Sequence, residues 1–300
     1  MNSITDITQY FFDLQKNIHN ELNHITQDTS QQSPLHWENY QGHITHWENQ
    51  PCFEKATISV SHIAGQSLPK ASLDHASELK EIINQPYEAT GISMIFHPRN
   101  PHVPTMHANL RYFQCQDTWW FGGGMDLTPY YGYREDAIHW HQSCQTACSA
   151  STPNPYPWFK TQCDDYFYLK HRQEHRGIGG LFFDKLYEPS FESCTKLIQS
   201  IGDNLTKAYA PIVSRRQNTP YTQEQTEFQH YRRGRYVEFN LLQDRGTLFG
   251  LQSGHRTENI LVSMPPKVAW KYGYQPQQNT PEAKLIETFL SPKDWIKETL

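Results

Sequence analysis

Residues 105–113 constrain the fold of this chain more than any other segment, because their side chains alternate between two chemically opposite classes. In a β-strand, a period of two sends His107, Asn109 and Arg111 to one face and apolar side chains to the other. A titratable ring, an amide and a fixed cation are poor material for an apolar core. The first face is therefore expected to line a site that binds a carboxylate and moves a proton. A solvent-exposed strand face without a function is the alternative.

Segments with the same alternation on both sides predict an antiparallel meander. They are residues 56–63, 92–97 and 118–121. Three glycines at 122–124 are expected to end the meander in a bend that a ligand can approach closely. The carboxylate of Asp126 follows directly and is a further candidate for the site, with a turn-stabilising role as the alternative.

Ser93 and His97 lie four residues apart in the segment 92–97, so both point to one face of that strand. They belong to the candidate site if the hairpin register brings this face beside His107. The sequence alone does not determine that register.

Helical periodicity is strong in the N-terminal residues 1–25, where apolar residues recur every three or four positions. Further helices are expected at residues 133–149, 157–175, 190–216 and 222–233, and from Pro281 onward. Strands are expected to return at residues 236–242, 247–251 and 260–263. This order predicts an α+β fold, with a large, mainly antiparallel β-sheet flanked by α-helices on both faces. No linker-like tract divides the chain, so residues 1–300 are expected to form a single domain.

The composition argues against several classes of function. The net charge of -5 speaks against non-specific nucleic-acid binding, and no apolar run approaches the roughly 18 residues of a membrane span. The N-terminal residues lack the pattern of a signal peptide, so a cytoplasmic location with reduced thiols is expected for the six cysteines.

Metal binding remains an open alternative from the residues alone. His141, Cys144 and Cys148 would share a helix face, although no fourth ligand is evident nearby. The HExxH pattern is missing. The chain has 16 histidines, many in regions without a chemical pattern, so a single histidine is weak support for a metal site.

Longer motifs resemble the oxygen-dependent coproporphyrinogen III oxidase family, in order and over nearly the whole chain from about residue 54. These motifs are FHPRNP at 96–101, PTMHANLR at 104–111, WWFGGGMDLTP at 119–129, EDAIHWH at 135–141, CDDYFY at 163–168, RGIGGLFFD at 176–184, YRRGRYVEFN at 231–240 and ENILVSMPP at 258–266. Several of these runs are long and unusual, so a chance match is not a serious competitor.

The resemblance implies oxidative decarboxylation of two propionates of coproporphyrinogen III to vinyl groups, which gives protoporphyrinogen IX in haem biosynthesis. Dioxygen would be the co-substrate, without an organic cofactor, and a divalent metal cation is possible. The resemblance also implies a cytoplasmic homodimer with a tetrapyrrole substrate, no nucleic-acid partner and no stable membrane insertion.

The resemblance also suggests roles for individual residues. The catalytic residues would be His107 in the proton-donor position, Arg111 as a carboxylate clamp and Asp126, which is expected to hydrogen-bond the pyrrole N–H groups. The substrate-binding residues would be Ser93, Asn109, Leu110, Arg111, Gly254, His255 and Arg256. The positions of divalent-metal ligands match His97, His141 and His171, for which a structural hydrogen-bonding role is equally open.

The chain departs from the family pattern at two places. Gly42 stands alone where relatives carry a glycine run near a basic residue, and His255 stands where close relatives often have a glycine. Two other functions compete with the family reaction. One is a mononuclear metal oxygenase or hydrolase built on His97, His141 and His171, and the other is a porphyrin- or haem-binding module without catalysis.

Overall fold

A seven-stranded antiparallel sheet forms the centre of the structure, a computed structural model that describes residues 1, 3–37, 40–67, 84–252 and 257–298. Its strands are β1 (Gln31–Trp37), β2 (Tyr40–Glu48), β3 (Phe53–Gly65), β4 (Tyr87–Pro98), β5 (Thr105–Cys115), β6 (Thr118–Thr128) and β9 (Gly179–Leu186). Two short strands, β7 (Tyr168–Leu169) and β8 (Glu174–His175), form a separate hairpin. The order across the sheet is β1-β2-β3-β4-β5-β6-β9, and every pairing is antiparallel. The expected meander is confirmed.

Helices account for most of the remaining described chain. They are α1 (Ile4–Thr26), α2 (Arg134–Ala147), α3 (Tyr156–Tyr166), α4 (Phe191–Arg216), α5 (Gln223–Leu242), α6 (Arg245–Gln252), α7 (Thr257–Leu261) and α8 (Pro281–Lys284). The side chain of Ser190 caps α4, and Thr222 with Gln225 forms a capping box on α5, so both expected helix starts are confirmed.

The two faces of the sheet are covered by different helices. α1 and α4 pack on the apolar face, where the side chains of Phe11, Met94 and Ala108 are buried in one core. On the polar face, Arg233 of α5 donates to the carboxylate of Glu54 at 2.7 Å. The expected α+β fold with helices on both faces of the sheet is therefore confirmed.

The glycines at 122–124 lie inside β6 and do not end the meander. Glycine is needed here because neighbouring groups approach the strand closely. A Cβ on Gly123 would stand 2.5 Å from the Asn109 carbonyl oxygen, and a Cβ on Gly124 would stand 2.2 Å from the Leu181 carbonyl oxygen. Asp126 consequently lies on a strand in regular register, where the sequence predicted a bend.

Three further predictions of secondary structure are wrong. α3 ends at Tyr166, so neither of the two histidines expected on it is helical. His171 lies in the turn between β7 and β8, and His175 lies in β8. α5 continues through Gly234, whose missing side chain lets Ala269 and Trp270 pack against the helix. The segments predicted as strands at 236–242, 247–251 and 260–263 fall mainly in α5, α6 and α7, because short apolar runs do not distinguish strands from buried helices.

Within the described ranges, no helix combines the length and the apolar character that crossing a bilayer requires.

Candidate active site

The register of the central strands brings the predicted polar residues onto one face. His107 on β5 pairs with Asp126 on β6. Asn109 on β5 pairs with Gly124 on β6 on one side and with Ser93 on β4 on the other side. The side chains of Ser93, Asn109 and Arg111 are exposed or partly exposed. Leu110, expected to bind substrate, has a fully buried side chain on the opposite face.

His107 and Asp126 form a hydrogen-bonded pair across two adjacent strands. The Nδ1–H group of His107 donates to Asp126 Oδ1 at 2.8 Å. The His107 side chain is 20% exposed, whereas that of Asp126 is only 2% exposed. Asp126 therefore lies behind the imidazole, and only the imidazole reaches the open side of the sheet.

Arg176 is the main member of the site that sequence reasoning missed. Its guanidinium donates to both oxygens of Asp126, from Nη2 at 2.8 and 2.9 Å and from Nε at 3.1 Å. The side chain is 1% exposed. Three aromatic rings surround the guanidinium carbon, with centroids 4.1 to 4.7 Å away: Phe167, Tyr236 and Phe239. Arg176 is the first residue of the motif RGIGGLFFD at 176–184. Its place in that motif was the only feature of the sequence that pointed to a role in the site.

These contacts determine the charge state of Asp126. Burial by itself would raise the pKa of this carboxyl, but the positive charge of Arg176 and the hydrogen bond from His107 outweigh burial and lower it. Asp126 is therefore ionised at neutral pH. Both of its oxygens accept hydrogen bonds from His107 or Arg176, and the expected contact with pyrrole N–H groups stays a prediction.

Arg111 lies farther along the same face in a cluster of charges. Its guanidinium donates to Asn109 Oδ1 at 3.0 Å and to Asp184 Oδ1 at 2.8 Å, and it is 40% exposed. Arg245 approaches the other oxygen of Asp184 at 3.5 Å. Asp184 and Arg245 were not among the predicted residues. The cluster presents two partly exposed cations that share one carboxylate.

The departures from the family pattern can be placed only in part. Gly42 on β2 lies in the same row of strand partners as Arg111 on β5, with Ser61 and Gly91 on the two strands between them. Gly254, His255 and Arg256 lie outside the described residues.

The three histidines expected as metal ligands do not come together. His97 contacts the Ser263 carbonyl oxygen at 2.8 Å, and His171 contacts Glu238 Oε2 at 2.7 Å. His141 is bound between the Ile178 carbonyl and the Tyr156 hydroxyl, both at 2.9 Å. Across the ranges that the structure describes, no three His, Cys, Asp or Glu side chains are grouped to hold a metal ion. These histidines therefore do not fit a shared metal ion.

A comparison with protein families decides between the functions left open by this geometry. The family model described as coproporphyrinogen III oxidase matches residues 6–295 of the chain. The chain belongs to the coproporphyrinogen III oxidase family.

Membership in the coproporphyrinogen III oxidase family supports the activity that the motifs implied. This activity is the oxidative decarboxylation of coproporphyrinogen III in haem biosynthesis, and the chain is an oxidoreductase that acts on a tetrapyrrole. His107 and Arg111 lie on one face of the sheet, and both side chains are partly exposed there.

Proposed function

We propose that His107, Asp126 and Arg176 form the catalytic centre at which a propionate of coproporphyrinogen III is oxidatively decarboxylated. The observation that carries this proposal is the fully engaged Asp126 carboxylate, which bonds to the imidazole on one side and to a buried guanidinium on the other. We assign proton transfer to His107 because it is the member of the three that is partly exposed.

The hydrogen bond from Nδ1 determines which nitrogen of His107 exchanges a proton. Asp126 accepts the Nδ1 hydrogen, so a neutral His107 has its lone pair on Nε2, which has no hydrogen-bond partner within the described ranges. A carboxylate behind an imidazole also stabilises the charged form that follows proton uptake. Nε2 can therefore accept a proton from the tetrapyrrole and later return one.

Arg111 and Arg245 are proposed to bind substrate carboxylates beside this centre. Both guanidiniums are partly exposed, and both are now paired with the single carboxylate of Asp184. An incoming propionate would compete with Asp184 for the same donors, and Asn109 and Ser93 supply neutral polar groups on the same face. The affinity for substrate should therefore depend on Arg111 more than on Arg176.

The overall chemistry requires little covalent participation from the protein. For each propionate, one C–H bond and the bond to the carboxyl carbon break, carbon dioxide leaves and a vinyl group remains. Two electrons pass to dioxygen, which takes up the hydrogen lost from carbon and one further proton. The reduced tetrapyrrole supplies the electrons, so we propose that no organic cofactor takes part and that the protein contributes positioning and electrostatics.

The remaining expectations also stand as proposals. We retain a single domain and a cytoplasmic location. We also retain a homodimer, which the exposed leucines of three neighbouring helices support: Leu241, Leu242, Leu251 and Leu261. Exposed apolar side chains on helices that pack together favour association with a protein partner.

The test of the catalytic centre is Arg176→Met, which removes the partner of Asp126 but keeps an unbranched side chain. Release of carbon dioxide from coproporphyrinogen III after an oxygen pulse should slow by at least about 100-fold, as expected for loss of an electrostatic group. Arg215→Met, on the outer surface of α4, is the control and should react normally. Folded Arg176→Met protein with parental carbon dioxide release would refute the proposed centre.

A further inference from the structure

The backbone that follows Arg176 is held by hydrogen bonds on two sides. The N–H group of Arg176 donates to the Phe167 carbonyl at 3.1 Å, and that of Ile178 donates to the Leu127 carbonyl at 2.9 Å. Gly179 has φ +76°, a conformation that side-chain-bearing residues rarely adopt. A tight turn thus joins the buried guanidinium to the start of β9.

Two consecutive residues of α2 bind the carbonyl groups of this turn. The indole Nε1–H group of Trp140 donates to the Gly179 carbonyl at 3.0 Å. His141 Nε2 lies 2.9 Å from the Ile178 carbonyl oxygen. Both side chains are fully buried, so water does not compete for these carbonyls.

The partners of His141 determine its protonation without ambiguity. The ring is fully buried, and both of its hydrogen-bond partners are neutral groups, an environment that favours the uncharged form. A carbonyl can only accept, so Nε2 carries the hydrogen and Nδ1 accepts from the Tyr156 hydroxyl at 2.9 Å. Neither nitrogen retains a lone pair for a metal ion unless one of these hydrogen bonds breaks.

We propose that His141, together with Trp140, is a positioning residue that holds the turn after Arg176 and thereby keeps the guanidinium on Asp126. Its chemical role is that of a neutral hydrogen-bond donor to a backbone carbonyl, in place of the metal ligation that the family resemblance suggests. This inference rests on the proposed catalytic role of Arg176. It predicts an effect on turnover and not on substrate affinity, because Arg176 is buried and Arg111 occupies the open face.

A matched pair of substitutions at position 141 separates the two hydrogen bonds. In His141→Gln the amide nitrogen can take the place of Nε2 and still donate to Ile178. In His141→Asn the shorter side chain can reach only Tyr156. We expect His141→Gln to keep kcat within about twofold and His141→Asn to lower kcat roughly 10-fold with KM nearly unchanged, since small displacements of catalytic groups have effects of this order.

Trp140→Phe provides a second test, because it removes one N–H donor from the turn and keeps an aromatic ring. It should also lower kcat without raising KM, and it decides the question alone if His141→Asn does not fold. Folded His141→Asn protein with parental kcat would overturn the inference. If His141→Asn does not fold, Trp140→Phe with parental kcat would overturn it.

Treatment of the parent protein with a chelator completes the test. Full turnover is expected afterwards, whereas loss of turnover that added divalent metal restores would assign His141 to metal binding and overturn the inference. The Arg176→Met variant keeps the two proposals apart. If it is inactive while folded His141→Asn turns over normally, only the positioning role fails, and if Arg176→Met is fully active, the catalytic centre itself fails.

Discussion

At the scale of single residues, the central feature of the site is the buried carboxylate of Asp126, which accepts hydrogen bonds from His107 and Arg176. An isolated charge with 2% exposure would be strongly destabilising, but Asp126 is compensated by Arg176 and His107. The same contacts keep its pKa low, so the negative charge behind His107 is present throughout the neutral range. The imidazole of His107 therefore has a fixed orientation and a fixed electrostatic environment.

Asp126→Asn tests this interpretation, because asparagine has nearly the same shape and no charge. We expect kcat to fall by at least about 100-fold, since the imidazolium of His107 loses its counter-charge and the Nδ1–H group loses its ionised acceptor. The measurement is carbon dioxide release at saturating substrate from pH 6 to pH 8. Asp117→Asn, on an exposed carboxyl in the turn of the same hairpin, is the control. A kcat near the parental value would mean that Asp126 only stabilises the fold.

The sequence could predict part of this site. Alternation along one strand identifies His107, Asn109 and Arg111 because they are local neighbours with a period of two. Arg176 could not be found in this way, because it is 50 residues away from Asp126 and approaches from outside the meander. Sequence patterns report local periodicity, whereas a buried ion pair between distant segments depends on the tertiary fold.

At the scale of elements, the glycines of β6 bring the polar side chains close to the sheet. A Cβ on Gly122 would lie 2.7 Å from the guanidinium of Arg111, which therefore rests directly over the neighbouring strand. The sequence predicted a bend here because consecutive glycines usually mark turns. Their function in this protein is to give room to Arg111 on one face and to backbone groups of the neighbouring strands.

Gly122→Ala should therefore displace the guanidinium of Arg111 and raise KM severalfold, with kcat little changed. The thermal unfolding midpoint should also change little, because a long side chain can move away from the added methyl group. Gly123→Ala is the matched comparison on the opposite face. Its methyl group meets a backbone carbonyl at 2.5 Å, so it should lower the thermal unfolding midpoint and leave KM unchanged. Equal KM values for the parent and Gly122→Ala would show that Arg111 does not hold a substrate carboxylate in this position.

At the scale of the whole molecule, the α+β fold was predictable because four of the early strands, β3 to β6, alternate clearly and the long helices α1 and α4 are amphipathic. The region after residue 235 was not predictable in the same way. There the side chains of Tyr236, Glu238 and Asn240 alternate with apolar ones, as in a strand, yet the segment is the second half of α5. Its ion pairs with the β7–β8 hairpin favour the helix, and these partners are more than 60 residues away.

The exposed end of this C-terminal helical region leads to the prediction for quaternary structure. Leu242 at the end of α5 is 62% exposed, and burying such a side chain in an interface would contribute about 1.5–3 kcal/mol. Leu242→Glu should therefore convert the proposed homodimer into monomers, because a charge would have to be desolvated at the contact. Sedimentation velocity over a range of protein concentrations measures the change. Trp158→Glu, which changes an exposed aromatic residue on α3, should remain dimeric. A Leu242→Glu protein that sediments as the parent dimer would place the interface elsewhere, and a monomeric parent would remove the homodimer itself.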